Sequence, residues 1–194
     1  MPRNLEVKAR INNLSAAEKV ALEIGAIFEG EFFQVDTYFN VKNGRLKLRE
    51  FDSGFAELIF YHRVEDGFER WSDYEVVKLS DSANLKNLLV KAWGIKVIVE
   101  KRRKVYIFKN ARIHIDNVSG LGNFIEFEVI YSGDEKQSED LMKFLINKFA
   151  LKQEDFIKVS YSDLLLLNFS AFGKILFTLK VKPFAILKKL FSHF

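Results

Sequence analysis

The chain contains no cysteine, and only two of its 194 residues are proline. Without cysteine, neither a disulfide framework nor a thiolate metal site can form. The first residues, Met-Pro-Arg-Asn, lead directly into a charged segment and not into an apolar signal region. Both observations fit a cytoplasmic protein, and a cytoplasmic location is therefore expected.

Acidic side chains are absent from the last part of the chain. Residues 169–194 contain five lysines and no aspartate or glutamate. The other 168 residues carry 25 basic and 26 acidic side chains, so the excess of positive charge lies in this tail. A nucleic-acid-binding domain usually carries a basic stripe across its folded body, and this body has none in bulk. We therefore expect a folded domain over residues 1–168, a basic and apolar tail over 169–194, and no nucleic-acid partner.

Charged and apolar residues alternate in five segments of the body. In residues 5–11, Glu6, Lys8 and Arg10 alternate with four apolar residues. A period of two places each charged set on one face of a β-strand. The charged members of the other segments are Arg45, Lys47 and Arg49; Lys101 and Arg103; Arg112, His114 and Asp116; and Glu126 and Glu128. Five such faces, carrying both signs, indicate a sheet curled around a polar interior that suits a polyanion and a divalent cation.

The order of predicted elements defines a fold class. One strand and one helix are followed by four strands, a second helix, three strands and a third helix. A capping box at Ser15 and Glu18 predicts that the first helix runs to about Phe28, and the last helix is predicted over residues 138–149. This order predicts an α+β fold, in which an eight-stranded antiparallel β-barrel or tunnel has helices packed on its outside.

Several short motifs follow one another in order along residues 3–166. They are Leu5-Glu6-Val7-Lys8, Gln34 to Phe39, Leu46 to Arg49, Lys101 to Arg103, Asp116 with Gly120-Leu121-Gly122, Glu126 to Glu128, and Tyr161 to Leu165. Together they resemble the CYTH superfamily of triphosphate tunnel metalloenzymes, most closely its class IV adenylate cyclase-like branch. The resemblance implies a tunnel of eight antiparallel strands that holds a triphosphate.

The resemblance also implies roles for individual side chains. A divalent cation, Mg²⁺ or Mn²⁺, would be held by the carboxylates of Glu6, Asp116, Glu126 and Glu128. The triphosphate would be bound by Lys8, Arg45, Lys47, Arg49, Arg63, Lys101 and Arg103, with Arg10 as a further candidate. Lys8, Asp116 and Glu126 would act in catalysis. Metal and basic groups would neutralise the charge that builds up on phosphoryl oxygens in the transition state.

Two positions depart from the family pattern. Asn4 stands where the first motif glutamate is expected, which removes one carboxylate from the metal site. Tyr61 stands where many members have lysine, and Arg63, on the same strand face, is interpreted as a partial substitute. Two functions therefore stay open. One is a metal-dependent phosphohydrolase or adenylate cyclase acting on nucleoside or other organic triphosphates, and the other is a triphosphate- or polyphosphate-binding module without catalysis.

His114 and the tail each allow two interpretations. Alternation turns His114 toward the interior with Asp116, but a structural role is favoured over a metal-binding one. In the tail, apolar residues recur at helical spacing beside lysines until Pro183 interrupts them. This pattern is typical of a basic helix that lies on a membrane surface or a protein partner, and equally of a segment that packs on the domain or forms a homodimer. It is too rich in lysine to predict a membrane span.

Overall fold

The computed structural model describes residues 3–63 and 70–168, and within them eight strands close into an antiparallel barrel. The strands are β1 (Arg3–Arg10), β2 (Ile27–Phe39), β3 (Arg45–Phe51), β4 (Ala56–Arg63), β5 (Arg70–Leu79), β6 (Ile95–Phe108), β7 (Ala111–Val118) and β8 (Gly122–Ile130). Around the ring the order is β1-β5-β4-β3-β2-β6-β7-β8, and β8 pairs with β1 to close it. The predicted α+β fold with an eight-stranded barrel is confirmed.

Strand β1 illustrates how the sequence pattern builds the barrel wall. Leu5, Val7 and Ala9 are buried in the outer core beneath the helices, whereas Asn4 and Lys8 line the interior. The period of two along the strand therefore separates the inside of the barrel from the outside. Each fully buried Leu or Val side chain contributes about 1.5–3 kcal/mol, so the outer core stabilises a wall whose inner face is polar.

Helices cover the outer face of the barrel. They are α1 (Leu14–Glu23), α2 (Ala83–Trp93) and α3 (Glu135–Lys148). A further helical segment over residues 161–168, called α4, reaches the last described residue and packs instead at one end of the barrel, where Leu165 joins Val97 and Val99. Ala21 of α1 and Leu145 of α3 are fully buried in the core that they share with β1, β7 and β8. Leu89 of α2 packs with Phe39 and Leu48 over β2 and β3.

The first helix differs from its prediction at both ends. Asn13 caps it, and not Ser15, because the Asn13 side chain accepts a hydrogen bond from the Ala16 N–H at 3.1 Å. The helix stops at Glu23 because Gly25 adopts φ 85°, a left-handed conformation that most side chains avoid. Strand β2 begins soon afterwards, so the predicted extension of the helix to residue 28 is wrong.

The last predicted helix begins earlier than expected. Asp134 caps α3 by accepting a hydrogen bond from the Gln137 N–H at 3.2 Å, so the helix starts at Glu135. A carboxylate at this end is also favoured by the helix dipole. Ser138, the predicted start, is buried inside the helix, where its hydroxyl donates to the Asp134 carbonyl.

The segment after α3 crosses one end of the barrel and carries a side chain into it. The Ile157 N–H donates to the Lys8 carbonyl at 2.8 Å, and Phe156 forms an isolated antiparallel bridge with Ala9. Tyr161, the first residue of α4, packs edge-on against Phe124 of β8 and lines the cavity. The barrel interior is therefore built by the strands and by this later segment together.

Two predictions concern parts of the chain outside the described residues. The tail over residues 169–194 lies there, and so does the side chain of Arg63, although its backbone ends strand β4. Within residues 3–63 and 70–168, no helix is long and apolar enough to cross a membrane.

Candidate functional site

A cavity of about 360 Å³ occupies the barrel interior, and charged side chains dominate its walls. Among the described residues, the basic side chains that line it are Lys8, Lys47, Arg49, Lys78, Lys101, Arg103 and Arg112. The acidic ones are Glu6, Asp36, Glu57, Glu126 and Glu128. Small-molecule pockets are usually lined by apolar and aromatic groups, so this lining favours a highly charged ligand.

Three cations converge on Asp36 of β2. Arg49 lies opposite Asp36 in the strand register, and its Nε and Nη2 donate to the two carboxylate oxygens at 2.7 and 2.9 Å. The Nζ of Lys47 lies 3.0 Å from Asp36 Oδ2, and the Nζ of Lys101 lies 3.4 Å from the same oxygen. One buried carboxylate thus positions three of the predicted phosphate-binding side chains.

This cluster changes the ionisation of its members. Burial raises the pKa of Asp36, but the three surrounding cations outweigh burial and hold that pKa well below its usual value. Burial and the neighbouring Arg103 lower the pKa of Lys101 to about 7, although Asp36 opposes the shift. Asp36 is therefore a fixed negative charge, whereas Lys101 gains or loses its proton near neutral pH.

A second network is centred on Arg103 of β6. Its Nε and Nη2 donate to the two oxygens of Asp116 at 2.7 and 2.6 Å, and Nη2 also donates to Glu126 Oε2 at 2.7 Å. The hydroxyl of Tyr161 donates to Asp116 Oδ2 at 2.9 Å. Burial raises the pKa of Asp116, but Arg103 outweighs burial and lowers it. These charge-assisted bonds fix four buried side chains in one arrangement.

Lys8 joins this network from β1. Its Nζ lies 3.0 Å from Glu126 Oε1 and 4.2 Å from the ring centre of Tyr161. The contact follows from strand pairing, because Lys8 and Glu126 are opposite each other in the β1–β8 register. The structure therefore brings the three predicted catalytic residues together, with Lys8 on one side of Glu126 and the Arg103–Asp116 pair on the other.

His114, Glu126 and Glu128 form a compact group on β7 and β8. One potential ligand atom from each lies within 4.8 Å of those from the other two. Burial raises the pKa of Glu126, but Lys8 and His114 hold it well below the usual range. Burial also raises the pKa of Glu128, but His114, Arg103 and Arg112 together outweigh burial and lower it. Both carboxylates are therefore ionised at neutral pH and are suitable ligands for a divalent cation.

The first strand supplies two further polar residues to the cavity. Glu6 lines it and lies opposite Glu128 in the register. Asn4 lines it on the same face of β1, and the Asn4 Oδ1 is buried with no hydrogen-bond partner among the described residues. The predicted metal-binding residues Glu6, Glu126 and Glu128 thus share one wall, whereas both oxygens of Asp116 accept hydrogen bonds from Arg103.

Two predicted phosphate-binding residues make other contacts. Arg45 reaches the segment that crosses the barrel end, and its Nη1 donates to Ser160 Oγ at 2.7 Å and to Asp163 Oδ2 at 2.8 Å. Arg10 is exposed, and its Nη1 donates to the Leu121 carbonyl at 2.9 Å. Neither is among the side chains that line the cavity within the described part of the chain.

Sequence reasoning assigned no role to several residues of the site. The sequence places Asp36 in a motif but predicts no role for it, although Asp36 alternates with Gln34 and Tyr38 on the inner face of β2. Arg112 was recognised as inward-facing and was not assigned to a ligand. Tyr161 gave no periodic signal, because it enters the barrel from a helix and not from a strand.

Comparison with known proteins places the whole barrel in one family. A family model described as the CYTH domain matches residues 2–161. A protein of Methanocaldococcus jannaschii named "Putative adenylate cyclase" is 25% identical over 172 residues, which cover 82% of this chain and 97% of that protein.

Two solved structures share the fold. A protein of Pyrococcus horikoshii has a TM-score of 0.76 and 21% identity, and the match covers 83% of this chain and 98% of that one. A Hippeastrum protein described as a "putative adenylyl cyclase" with a dominant triphosphatase activity has a TM-score of 0.62 and 12% identity, covering 85% of this chain and 96% of that one. At these identities the likeness shows a common fold.

Proposed function

Because the chain belongs to the CYTH domain family, we propose that it is a divalent-metal-dependent enzyme that acts on nucleoside or other organic triphosphates inside its barrel. One observation carries this proposal: Lys47 and Arg49 lie on the wall of the barrel opposite the ionised carboxylates of Glu126 and Glu128. Lys47 and Arg49 lie on β3, whereas Glu126 and Glu128 lie on β8. These two strands are four places apart in a ring of eight, so they face each other across the barrel. A triphosphate across the lumen would contact cations on one side and a metal held by carboxylates on the other.

The basic side chains would bind the phosphoryl oxygens without large rearrangement. Arg49 gives its Nε and one Nη2 hydrogen to Asp36, and a guanidinium has further N–H donors for phosphate. Asp36 holds Lys47 and Lys101 beside Arg49 before any ligand arrives. Donors that are already oriented toward developing charge lower the cost of reaching the transition state.

The carboxylates would bind the metal and assist proton transfer. Glu126 and Glu128, with Glu6 beside them, present the oxygen ligands that Mg²⁺ and Mn²⁺ take in proteins. The metal, when bound, would neutralise phosphoryl charge and orient the triphosphate. Lys8 and Arg103 hold Glu126 from both sides, and Asp116 fixes Arg103 in turn. A carboxylate of this group would accept the proton of the attacking hydroxyl.

Two reactions fit this site equally. If water attacks the terminal phosphorus, the product is inorganic phosphate and a diphosphate. If the 3′-hydroxyl of the substrate's own ribose attacks the α-phosphorus, the products are a cyclic nucleotide and pyrophosphate. The name of the Methanocaldococcus relative supports the second reaction, and the triphosphatase activity described for the Hippeastrum protein supports the first.

A substrate screen with product identification tests the proposal. The protein would be incubated with ATP, thiamine triphosphate or inorganic triphosphate and with Mg²⁺ or Mn²⁺. We expect turnover of at least one triphosphate, and a fall of at least about 100-fold in kcat for Glu126→Gln, since acid–base assistance alone contributes about that factor. Glu100→Gln, on the outer face of β6, is the matched control and should keep the parental rate. Absence of turnover with every triphosphate would reject an enzymatic function.

The second candidate is a non-catalytic triphosphate-binding module, and Asn4 is the observation that favours it. An amide at this position contributes no negative charge to the metal-binding wall. This function predicts that triphosphate raises the melting temperature although no product forms. Asn4→Glu should then create activity or raise metal affinity, and an unchanged variant would show that the missing carboxylate is not what limits the site.

A further inference from the structure

His114 is the least explained side chain of the barrel interior. It lies on β7 directly opposite Glu126 of β8, and the residue is only 5% exposed. Its Nδ1 is buried and has no hydrogen-bond partner among the described residues. A buried nitrogen without a hydrogen-bond partner is unfavourable, so this position suits a ligand.

The surroundings of this nitrogen show which ligand would fit. The Nδ1 lies 3.6 Å from Glu128 Oε1 and 3.8 Å from Glu126 Oε2, both too long for hydrogen bonds. One donor atom from each of the three side chains nevertheless lies within 4.8 Å of the others. Three donor atoms this close together that do not bond each other can coordinate one cation after small side-chain movements.

The two carboxylates keep capacity for such a cation. Glu126 accepts from Lys8 through Oε1 and from Arg103 through Oε2, and Arg112 lies 3.5 Å from Glu128 Oε2. An ionised carboxylate has about four lone-pair positions, so these contacts do not exhaust either group. Of the two carboxylates, Glu128 is better placed to share a cation with His114, because its Oε1 is the carboxylate oxygen nearest to Nδ1.

We propose that His114 Nδ1, Glu126 and Glu128 together form a mixed nitrogen–oxygen site that binds a first-row transition ion such as Mn²⁺ in preference to Mg²⁺. That the bound metal serves catalysis in the barrel rests on the proposed function. The binding of the metal does not depend on it. Mg²⁺ takes almost only oxygen ligands, whereas transition ions accept imidazole nitrogen. The imidazole also adds a ligand on the wall where Asn4 supplies no carboxylate.

Metal binding by the full chain, without triphosphate, tests the site. Isothermal titration with MnCl₂ and with MgCl₂ would compare the parent, His114→Ala and His62→Ala. His62 is the matched control, because it is an exposed histidine on β4 whose ring makes an edge-to-face contact with Phe60. We expect the parent to bind Mn²⁺ at least about tenfold more tightly than Mg²⁺, and His114→Ala to lose about tenfold or more of its Mn²⁺ affinity. Mg²⁺ affinity should change far less, and His62→Ala should behave as the parent.

A second measurement keeps the inference open to rejection if His114→Ala fails to fold. Pulsed electron paramagnetic resonance of Mn²⁺ bound to the parent should show nitrogen coupling from one imidazole, and the signal should persist in His62→Ala. A spectrum of bound Mn²⁺ without nitrogen coupling would contradict the proposed site. A folded His114→Ala variant that binds Mn²⁺ as tightly as the parent would also contradict it. Because no triphosphate is present, loss of the proposed enzymatic function would leave these results unaffected.

Discussion

At the scale of single residues, Arg103 is the side chain on which the inner network depends. It neutralises Asp116 and Glu126 at once, and all three are buried. Arg103→Ala would leave two buried carboxylates without their shared cation, and breaking a buried pair in this way costs about 3–5 kcal/mol. We expect that loss in the free energy of unfolding at pH 7, measured by urea denaturation.

The neighbouring arginine provides the control for this experiment. Arg102 is exposed on the outer face of β6 and lies over the ring of Phe33 at 5.7 Å. Arg102→Ala should change the unfolding free energy by only about 0.5 kcal/mol, as surface substitutions usually do. Equal losses in the two variants would contradict the assignment of Arg103 to the stabilising network.

Lys101 predicts a proton uptake that accompanies ligand binding. Its pKa of about 7 means that the amine is mostly neutral at pH 8. A bound triphosphate would raise this pKa, so at pH 8 Lys101 should account for an uptake of close to one proton, about 0.9 if its pKa rises toward that of ordinary lysine, seen as the difference between the parent and Lys101→Met. Titration of inorganic triphosphate in two buffers of different ionisation enthalpy, without metal, measures the uptake.

A methionine at position 101 should abolish this uptake, because methionine has no titratable group. Lys104→Met is the control, since Lys104 lies outside the barrel, where its Nζ pairs with Glu18 at 2.9 Å. Proton uptake that persists in Lys101→Met would assign the titrating group elsewhere.

Alternation along the strands identified which charges face inward, but it could not assign their tasks. Lys101 and Arg103 line the cavity while Arg102 lies outside, as the period of two predicts. The function of Asp36 depends on cations from β3, the next strand in the chain, and from β6, where Lys101 lies 65 residues further along. The environment of His114 likewise forms only when β7 pairs with β8. Neither the function of Asp36 nor the environment of His114 could therefore be predicted from a single segment of the sequence.

At the scale of helices and strands, the number and order of the strands could be predicted, but the helix ends and the start of β2 at Ile27 could not. A strand is defined by its repeated pattern, whereas a helix end depends on one side chain and its hydrogen bond. Ser15 and Glu18 match a capping box in sequence, yet Asn13 makes the bond. Segment α4 was not predicted as a helix, because its short apolar stretch has no clear polar face.

The start of α4 supplies a prediction at this scale. Tyr161 ties the segment to the barrel through its bond to Asp116, and burial followed by the nearby Asp116 and Glu126 raises the Tyr161 pKa, so the phenol stays protonated as a donor. Tyr161→Phe keeps the ring and removes one bond to a charged group, which costs about 1.5–3 kcal/mol. Thermal and urea unfolding would measure the loss.

Tyr131→Phe is the comparison for this substitution. Tyr131 is 37% exposed and contacts the ring of Trp71 at the outside of the barrel. We expect little change in stability there, and an equally stable Tyr161→Phe variant would mean that the hydroxyl does not secure α4.

At the scale of the whole molecule, all eight described strands of the barrel lie within residues 3–130. Every described side chain that lines the cavity lies between Asn4 and Tyr161. A chain that ends at residue 168 should therefore fold cooperatively, with a melting temperature close to that of the full chain, and should bind inorganic triphosphate with similar affinity. Differential scanning calorimetry and titration would measure both.

The same truncation separates the tail from the domain. The removed residues carry five lysines and no acid, so any binding to anionic vesicles should fall in the shortened chain and triphosphate binding should not. A truncated protein that unfolds or loses triphosphate affinity would show that the tail belongs to the barrel domain.

The pairing of β1 with β8 has a consequence for biosynthesis. These strands are the first and the last of the barrel in the chain, and their contact carries Lys8 to Glu126. On the ribosome, the nascent polypeptide must wait until β8 emerges before this seam can form, and contacts so remote in sequence slow folding. Until then β1 presents an uncovered strand edge, and such edges can associate with other chains before the barrel closes.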